Sequence, residues 1–439
     1  MLLNAADKAL WRLALPMIFS NITVPLLGLV DTAVIGHLDS PVYLGGVAVG
    51  ATATSFLFML LLFLRMSTTG LTAQAWGAKD PQRLARALVQ PLALALGAGG
   101  VLIILLRLPL IDLALHIVGG SEAVLEQARR FLEIRWLSAP ASLANLVLLG
   151  WLLGVQYARA PVILLVVGNL LNIVLDLWLV MGLRMNVQGA ALATVTAEYA
   201  TLIIGLLMAK RVLTLRGVSL AMLKNAWRGD LRRLLALNRD IMLRSLLLQL
   251  CFGALTVFGA RLGSDIVAVN AVLMTMLTFT AYALDGFAYA VEAHSGQAYG
   301  ARDGSQLLEV WRAACRQSGM VALAFALIYS LAGQYIIALL TSLPSLQQLA
   351  DRYLIWQTIL PVVGVWCYLL DGMFIGATRG AEMRNSMAVA AAGFAVTLLT
   401  LPVLGNHGLW LALAVFLALR GLSLALIWRR HWRRGTWFS

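Results

Sequence analysis

The sequence predicts an all-α integral membrane protein with twelve transmembrane helices in two pseudo-symmetric six-helix lobes. Three observations predict it. Hydrophobic residues make up 61% of the 439 and charged residues only 12%, where soluble domains carry about 25% charged residues. Apolar runs long enough to cross a bilayer, about 20 residues each, recur along the whole chain. A set of short motifs in the first half also returns in the second half at a nearly constant offset.

The apolar runs fall at roughly 13–36, 43–72, 88–111, 130–156, 160–183, 187–210, 240–262, 266–296, 313–341, 352–376, 386–404 and 407–428. Most connections are short, so neighbouring helices are expected to be antiparallel. The exception is 211–239, a basic amphipathic stretch carrying Arg211, Arg216, Lys224, Arg228, Arg232, Arg233 and Arg239. It is expected to lie on the membrane surface as a linker between an N-terminal lobe, 1–210, and a C-terminal lobe, 240–439, that ends in a basic tail. Lys8 and Arg12 precede the first run, with no small-residue cleavage site after it. That first helix is therefore expected to be retained rather than removed as a signal peptide.

The net charge of +13 invites a nucleic-acid reading, which the placement of the charges excludes. Lys and Arg gather in the N-terminal tail, in every second connection and in the tail after Arg429. The other side holds only Arg184, Arg261 and Arg352. Positive loops stay cytoplasmic, so both termini are expected on the cytoplasmic side. The basic charge then sets orientation.

The repeat is specific. Gln74-Ala-Trp-Gly-Ala-Lys-Asp80 recurs as Gln297-Ala-Tyr-Gly-Ala-Arg-Asp303, an offset of 223. Pro140 and Pro361 repeat at 221, Gly154 and Gly376 at 222, and Gly189-Ala-Ala-Leu-Ala193 and Gly408-Leu-Trp-Leu-Ala412 at 219. An even number of helices per half makes the repeats parallel, related by an axis along the membrane normal. Transporters build alternating-access bodies in this way, with binding near the midplane.

Several classes of chemistry are absent from the sequence. There is no GxxxxGK[ST] nucleotide loop, no HExxH and no GxSxG, so an enzyme is not expected and transport would draw on an ion gradient. Cys251, Cys315 and Cys367 sit in separate apolar runs and read as small core residues.

The informative residues are the few acids inside apolar runs, because a carboxylate costs about 2.5–3.5 kcal/mol at the centre of a spanning helix. Asp31 lies in the first run. In the fifth, Asn169, Asn172 and Asp176 follow an i, i+3, i+7 spacing that puts them on one helix face. In the sixth, Thr194, Glu198 and Thr201 form a similar stripe. Asp31, Asn172, Asp176 and Thr194 together would make a carboxylate-rich pocket within the N-terminal half. Two carboxylates in one low-dielectric site do not both ionise easily, which suits groups that take up and release protons. The same oxygens suit Na⁺. Glu198 reads as supporting, and the alternative for all of them is polar glue between helices. The second half lacks this set and carries Asp285 and Asp371 instead, with Arg65, Arg135, Arg244 and Arg420 as candidate ion-pair partners. Structural pairing is the better reading for Asp285, whereas Asp371 stands between that and function. Pro16 and Pro25 both interrupt the first helix's hydrogen bonding. Pro25 is close enough to Asp31 to link protonation to shape.

Leu15-Pro-Met followed by Gly28-Leu-Val-Asp31-Thr resembles the first helix of MATE (multidrug and toxic compound extrusion) transporters. Leu171-Asn-Ile-Val-Leu-Asp176 and Val187-Gln-Gly-Ala-Ala-Leu-Ala-Thr194 resemble their fifth and sixth helices, and the similarity spans the chain. The resemblance implies two six-helix lobes and a multi-pass protein of the bacterial inner membrane, acting as a monomer. It implies cation-coupled export of amphipathic, often cationic drugs and toxic compounds, with no cofactor beyond the proton gradient. It also implies that Asp31, Asn172, Asp176 and Thr194 form the N-lobe cation site, with Glu198, Pro16, Pro25 and Asp371 in support. Another branch of the family uses C-lobe acids, a Glu in the seventh helix and an Asp in the tenth. Asp371 matches the second of these, but Leu246–Gly259 contains no acid. This departure favours protons acting through the N lobe. Na⁺ coupling at the same site is the nearest alternative. A lipid-linked oligosaccharide flippase of related architecture would be expected to hold a strongly cationic cavity, whereas the acids and bases within these segments are roughly balanced.

Overall fold

A computed structural model describes the backbone of residues 5–38, 40–229 and 231–439, and the side chains of these apart from 23–33 and 36. The first helix, α1, runs Ala5–Gly36. Eleven further helices among the described residues are long and apolar enough to cross a bilayer. They are α2 (Pro41–Gly77), α3 (Pro81–Val118), α4 (Glu122–Gly154), α5 (Arg159–Gly182), α6 (Asn186–Leu215), α7 (Leu231–Leu262), α8 (Ser264–Ala301), α9 (Gly304–Leu340), α10 (Pro344–Gly376), α11 (Gly380–Leu404) and α12 (Asn406–Arg434). The stretch between α6 and α7 holds one short helix, Leu220–Asn225.

Each expected apolar run falls within one of these helices, and the helix starts have local causes. Ser40, Asp80, Ser121 and Asp303 each accept a backbone N–H of the following first turn, which satisfies a donor the helix cannot. Pro41, Pro81 and Pro344 take early positions where no N–H is needed. Several helices are not uniform. α2 breaks at Leu61–Leu62, α4 tightens to a 3₁₀ turn at Trp136–Ser138, and α5 widens to a π turn at Leu177–Gly182.

The helices cluster into two compact units. One holds Ile22–Leu234, and the other holds Leu235–Ser439 with the chain up to Asn21. The start of α1 therefore packs with the second half of the sequence rather than with residues up to 210. It is held there by Trp11 edge-on to Phe287 at 5.2 Å and by Asn21 Nδ2 donating to Tyr282 O at 3.1 Å. Arg316 meets Asp7 at 3.1 Å.

Within each unit the sequence repeat becomes a repeat of geometry. Lys79 and Arg302 both take φ 54°. Asp80 N then donates to Ala75 O, and Asp303 N to Ala298 O, at 3.2 and 3.0 Å. The two aspartates cap α3 and α9 respectively. The glycines repeat as packing seats. A Cβ on Gly150 would lie 2.5 Å from Arg65 O, and one on Gly372 would lie 2.7 Å from Ala288 O. Gly154 faces Thr72 in the same way that Gly376 faces Ser295. α4 thus rests backbone to backbone on α2, and α10 on α8, as small residues permit in membrane helices.

Candidate functional site

In the Ile22–Leu234 unit, α5 and α6 carry the candidate residues and lie close together. A Cβ on Gly168 would meet Thr201 Oγ1 at 2.9 Å, and one on Gly189 would meet Leu179 O at 3.1 Å. This approach brings Thr194 to Asn172. The threonine hydroxyl has Asn172 Oδ1 at 3.4 Å and Ala190 O at 3.2 Å as acceptors. One proton serves two acceptors, so the hydroxyl oxygen keeps its lone pairs for a third group.

Asp176 is one helical turn beyond Asn172 and only 1% exposed. It is the last α-helical residue before the π turn. π turns inside α-helices are rare and frequent at functional sites, and nothing in the local sequence announces this one. The side chains of Asp31 and Pro25 lie outside the described residues. The structure therefore brings together Asn172 and Thr194, with Asp176 following on the same helix. Pro16 is half-buried in α1.

Glu198 is engaged by α4. Asn145 Nδ2 donates to its Oε2 at 3.0 Å and to its backbone oxygen at 3.1 Å. Arg135 Nη2 stands 3.8 Å from Oε1, and the Arg135 guanidinium lies over the Phe58 ring at 5.4 Å. Tyr199 ties α6 to the same stretch through Leu137 O at 2.8 Å. Asn145 is the residue that sequence reasoning missed. Its signal was a lone amide in an apolar run.

The second unit holds a different arrangement. Asp371 on α10 accepts from Arg244 on α7 at 2.6 Å and from Arg420 on α12. All three are buried, at 7%, 6% and 4% exposed. Both guanidiniums use an Nη2, and the Nε of each has no partner. Arg420 also lies over the Phe416 ring at 5.5 Å. Of the four arginines named as candidate partners, two thus hold Asp371 and a third approaches Glu198. Asp285 is half-buried on α8. Among the described residues no group of His, Cys, Asp or Glu is placed to hold a metal ion.

Comparison with known proteins places this geometry. The MatE family model matches residues 16–178 and again 241–404, once in each half of the chain. DNA damage-inducible protein F of Escherichia coli (strain K12) is 87% identical over 437 residues, covering 100% of this chain and 95% of that protein. A probable multidrug resistance protein, NorM, of Acinetobacter baylyi is 23% identical, covering 96% of this chain and 94% of its own. Among solved structures, a MATE protein in the straight conformation superposes with a TM-score of 0.85 at 22% identity, covering 98% of this chain and 96% of that one. An outward-facing multidrug resistance MATE family transporter of the MOP superfamily gives 0.82 at 23%, with the same coverage. At these identities the solved structures speak to the fold.

Proposed function

The chain belongs to the MatE family of multi-pass membrane transporters, and from that membership we propose that it is a proton-coupled antiporter exporting amphipathic, cationic small molecules by alternating access. It acts in a bacterial inner membrane, as a monomer with both termini cytoplasmic. The observation that carries the reading is Asp176, a carboxylate 1% exposed, one turn from the Thr194–Asn172 contact at 3.4 Å. A buried carboxylate beside amide and hydroxyl oxygens changes its charge readily, because burial penalises the ionised form and a proton removes that penalty.

The arrangement in the other unit supports the assignment by contrast. Asp371 already has two counter-charges in contact. A cation arriving there would have to displace a guanidinium, whereas no such obstacle stands at Asn172 and Thr194. The coupling step is therefore placed in the N-terminal half.

In the outward-facing state, Asp31 and Asp176 take up a proton from outside. The neutralised site lets α1 rearrange, and the bound compound leaves. Release of the proton to the inside restores the acidic site for the next cationic substrate. Protonated and ionised forms bind that substrate with different affinity, which a population shift requires. The proton itself is driven by about 2.3 kcal/mol per 100 mV of membrane potential, plus the pH difference.

The test is drug efflux in everted vesicles carrying Asp31→Asn or Asp176→Asn. Both variants are expected to lose pH-driven transport, and undiminished transport in both removes the mechanism. The hydroxyl and amide oxygens of Thr194 and Asn172 also favour a second reading, Na⁺ coupling at the same place, since hard cations take oxygen ligands. Efflux that follows a Na⁺ gradient after the pH gradient is collapsed would select it.

A further inference from the structure

Outside the transport machinery, one concave site in the Ile22–Leu234 unit is lined by positive charge. Arg83 and Arg86 in the first turns of α3, Gln90 one turn further on, and Arg233 at the start of α7 share a single pocket, and no acidic side chain lines it. Asp80, just before α3, instead has its carboxylate on the backbone N–H groups of Gln82 and Arg83. The segment joining α6 to α7 is fastened beside the pocket. The Arg216 guanidinium lies over the Trp76 ring at 3.9 Å. Gln90 Nε2 donates to Trp227 O at 3.3 Å, and Arg86 Nε to Arg228 O at 3.0 Å. That same segment leaves large apolar side chains in the open, with Leu220 69%, Trp227 62% and Leu231 49% exposed.

Three guanidiniums in one pocket without a carboxylate repel one another, and an anion relieves the repulsion. The planar forks of arginine fit the paired oxygens of a phosphate. The exposed Trp and Leu beside it are what a helix end presents at the boundary between headgroups and acyl chains. A soluble anion would leave those side chains in water, whereas a lipid covers them. We propose that this pocket binds the phosphate of an anionic phospholipid from the cytoplasmic leaflet. Basic pockets between membrane helices on that side are suited to such headgroups. The proposal rests on the cytoplasmic placement of the α2–α3 turn given above, but not on the choice of coupling ion.

The test is native mass spectrometry of the full chain in detergent, titrated with phosphatidylglycerol or with phosphatidylcholine. Wild type is expected to retain phosphatidylglycerol at least about tenfold better, with about fivefold lost for each arginine removed. Arg83→Gln/Arg86→Gln/Arg233→Gln should abolish the preference, and the corresponding triple Lys variant should keep most of it. Arg429→Gln/Arg430→Gln, which removes two exposed charges outside the pocket, should change nothing. Equal lipid retention by the Gln variant and wild type overturns the proposal, as does an equal loss in the tail variant. Displacement of the lipid by excess inorganic phosphate also overturns it, by assigning the pocket to a soluble anion. If the triple Gln variant does not fold, the single Arg83→Gln and Arg233→Gln variants are read on the same scale, and a wild-type preference near one is itself decisive against it. Lipid binding is read without transport, so failure of the antiport reading would leave this result intact.

Discussion

Arg244 and Asp371, 127 positions apart in the chain, meet at 2.6 Å in the interior of the second unit. Arg420 closes on the same carboxylate oxygen from α12. The acid is thereby committed to holding α7, α10 and α12 together. Removing one partner from a buried pair costs about 3–5 kcal/mol, whereas replacing the whole set by apolar groups is often neutral. Asp371→Asn should therefore melt clearly below wild type in detergent, and Arg244→Met/Asp371→Leu/Arg420→Met should recover most of the loss. Asp371→Asn molecules that do fold should still transport on a pH gradient. A melting curve superimposable on wild type would show that the triad does not hold the fold.

Thr194 and Asn172 call for a finer test. A single hydrogen bond contributes roughly 0.5–1.5 kcal/mol net, so Thr194→Val should weaken the coupling ion's apparent affinity by a few-fold to about tenfold. Thr194→Ser keeps the hydroxyl and should behave as wild type. The readout is the pH or Na⁺ concentration giving half-maximal efflux in vesicles. Equal shifts in the Val and Ser variants would point to packing rather than to the oxygen.

Glu198 should prove structural. Its carboxylate is answered by Asn145 at 3.0 Å and approached by Arg135 at 3.8 Å. Glu198→Gln keeps an acceptor for Asn145 and removes the charge, so efflux at saturating gradient should persist while stability falls by about 1 kcal/mol. Loss of pH-driven efflux in a fully folded Glu198→Gln protein would instead bring Glu198 into the coupling site.

The glycine seats predict a paired effect. Gly150→Ala and Gly372→Ala each press a methyl against a carbonyl oxygen that is 2.5 or 2.7 Å away. Each should cost about 1–3 kcal/mol through overpacking. Gly97 and Gly319 have nothing within 4 Å of their Cβ direction, so Ala there should be neutral or stabilising by roughly 0.5–1 kcal/mol. Thermal unfolding of the four single variants decides it, and a uniform response across them would refute the seats.

Much of the architecture was legible because a bilayer imposes a simple length rule, and every helix from α2 to α12 obeys it. The Gln74–Asp80 and Gln297–Asp303 match was legible too. The same residues form the same left-handed turn twice, at Lys79 and Arg302. The contacts that fix the site were legible only in part. Asp371 shows its acidity in the sequence, but Arg244 and Arg420 lie at no periodic spacing from it, so partnership had to be selected by tertiary packing. The π turn after Asp176 has no signature in Leu177–Gly182, which reads as ordinary apolar helix. Asn145 and Glu198 face one another from different helices, and their pairing depends on how α4 and α6 cross. The carboxylate of Asp31, on which the coupling scheme leans most, falls among the side chains the structure does not describe.

The close seating of α4 on α2 and of α10 on α8 has a mechanical meaning. Where two main chains touch through glycine, no intervening side chain is available to switch rotamer and let one rod slide along the other. These two couples are then stiff struts. Any bending within a half of the molecule during a transport cycle must be absorbed by its other rods, and a crosslink between strut partners should leave turnover unimpaired.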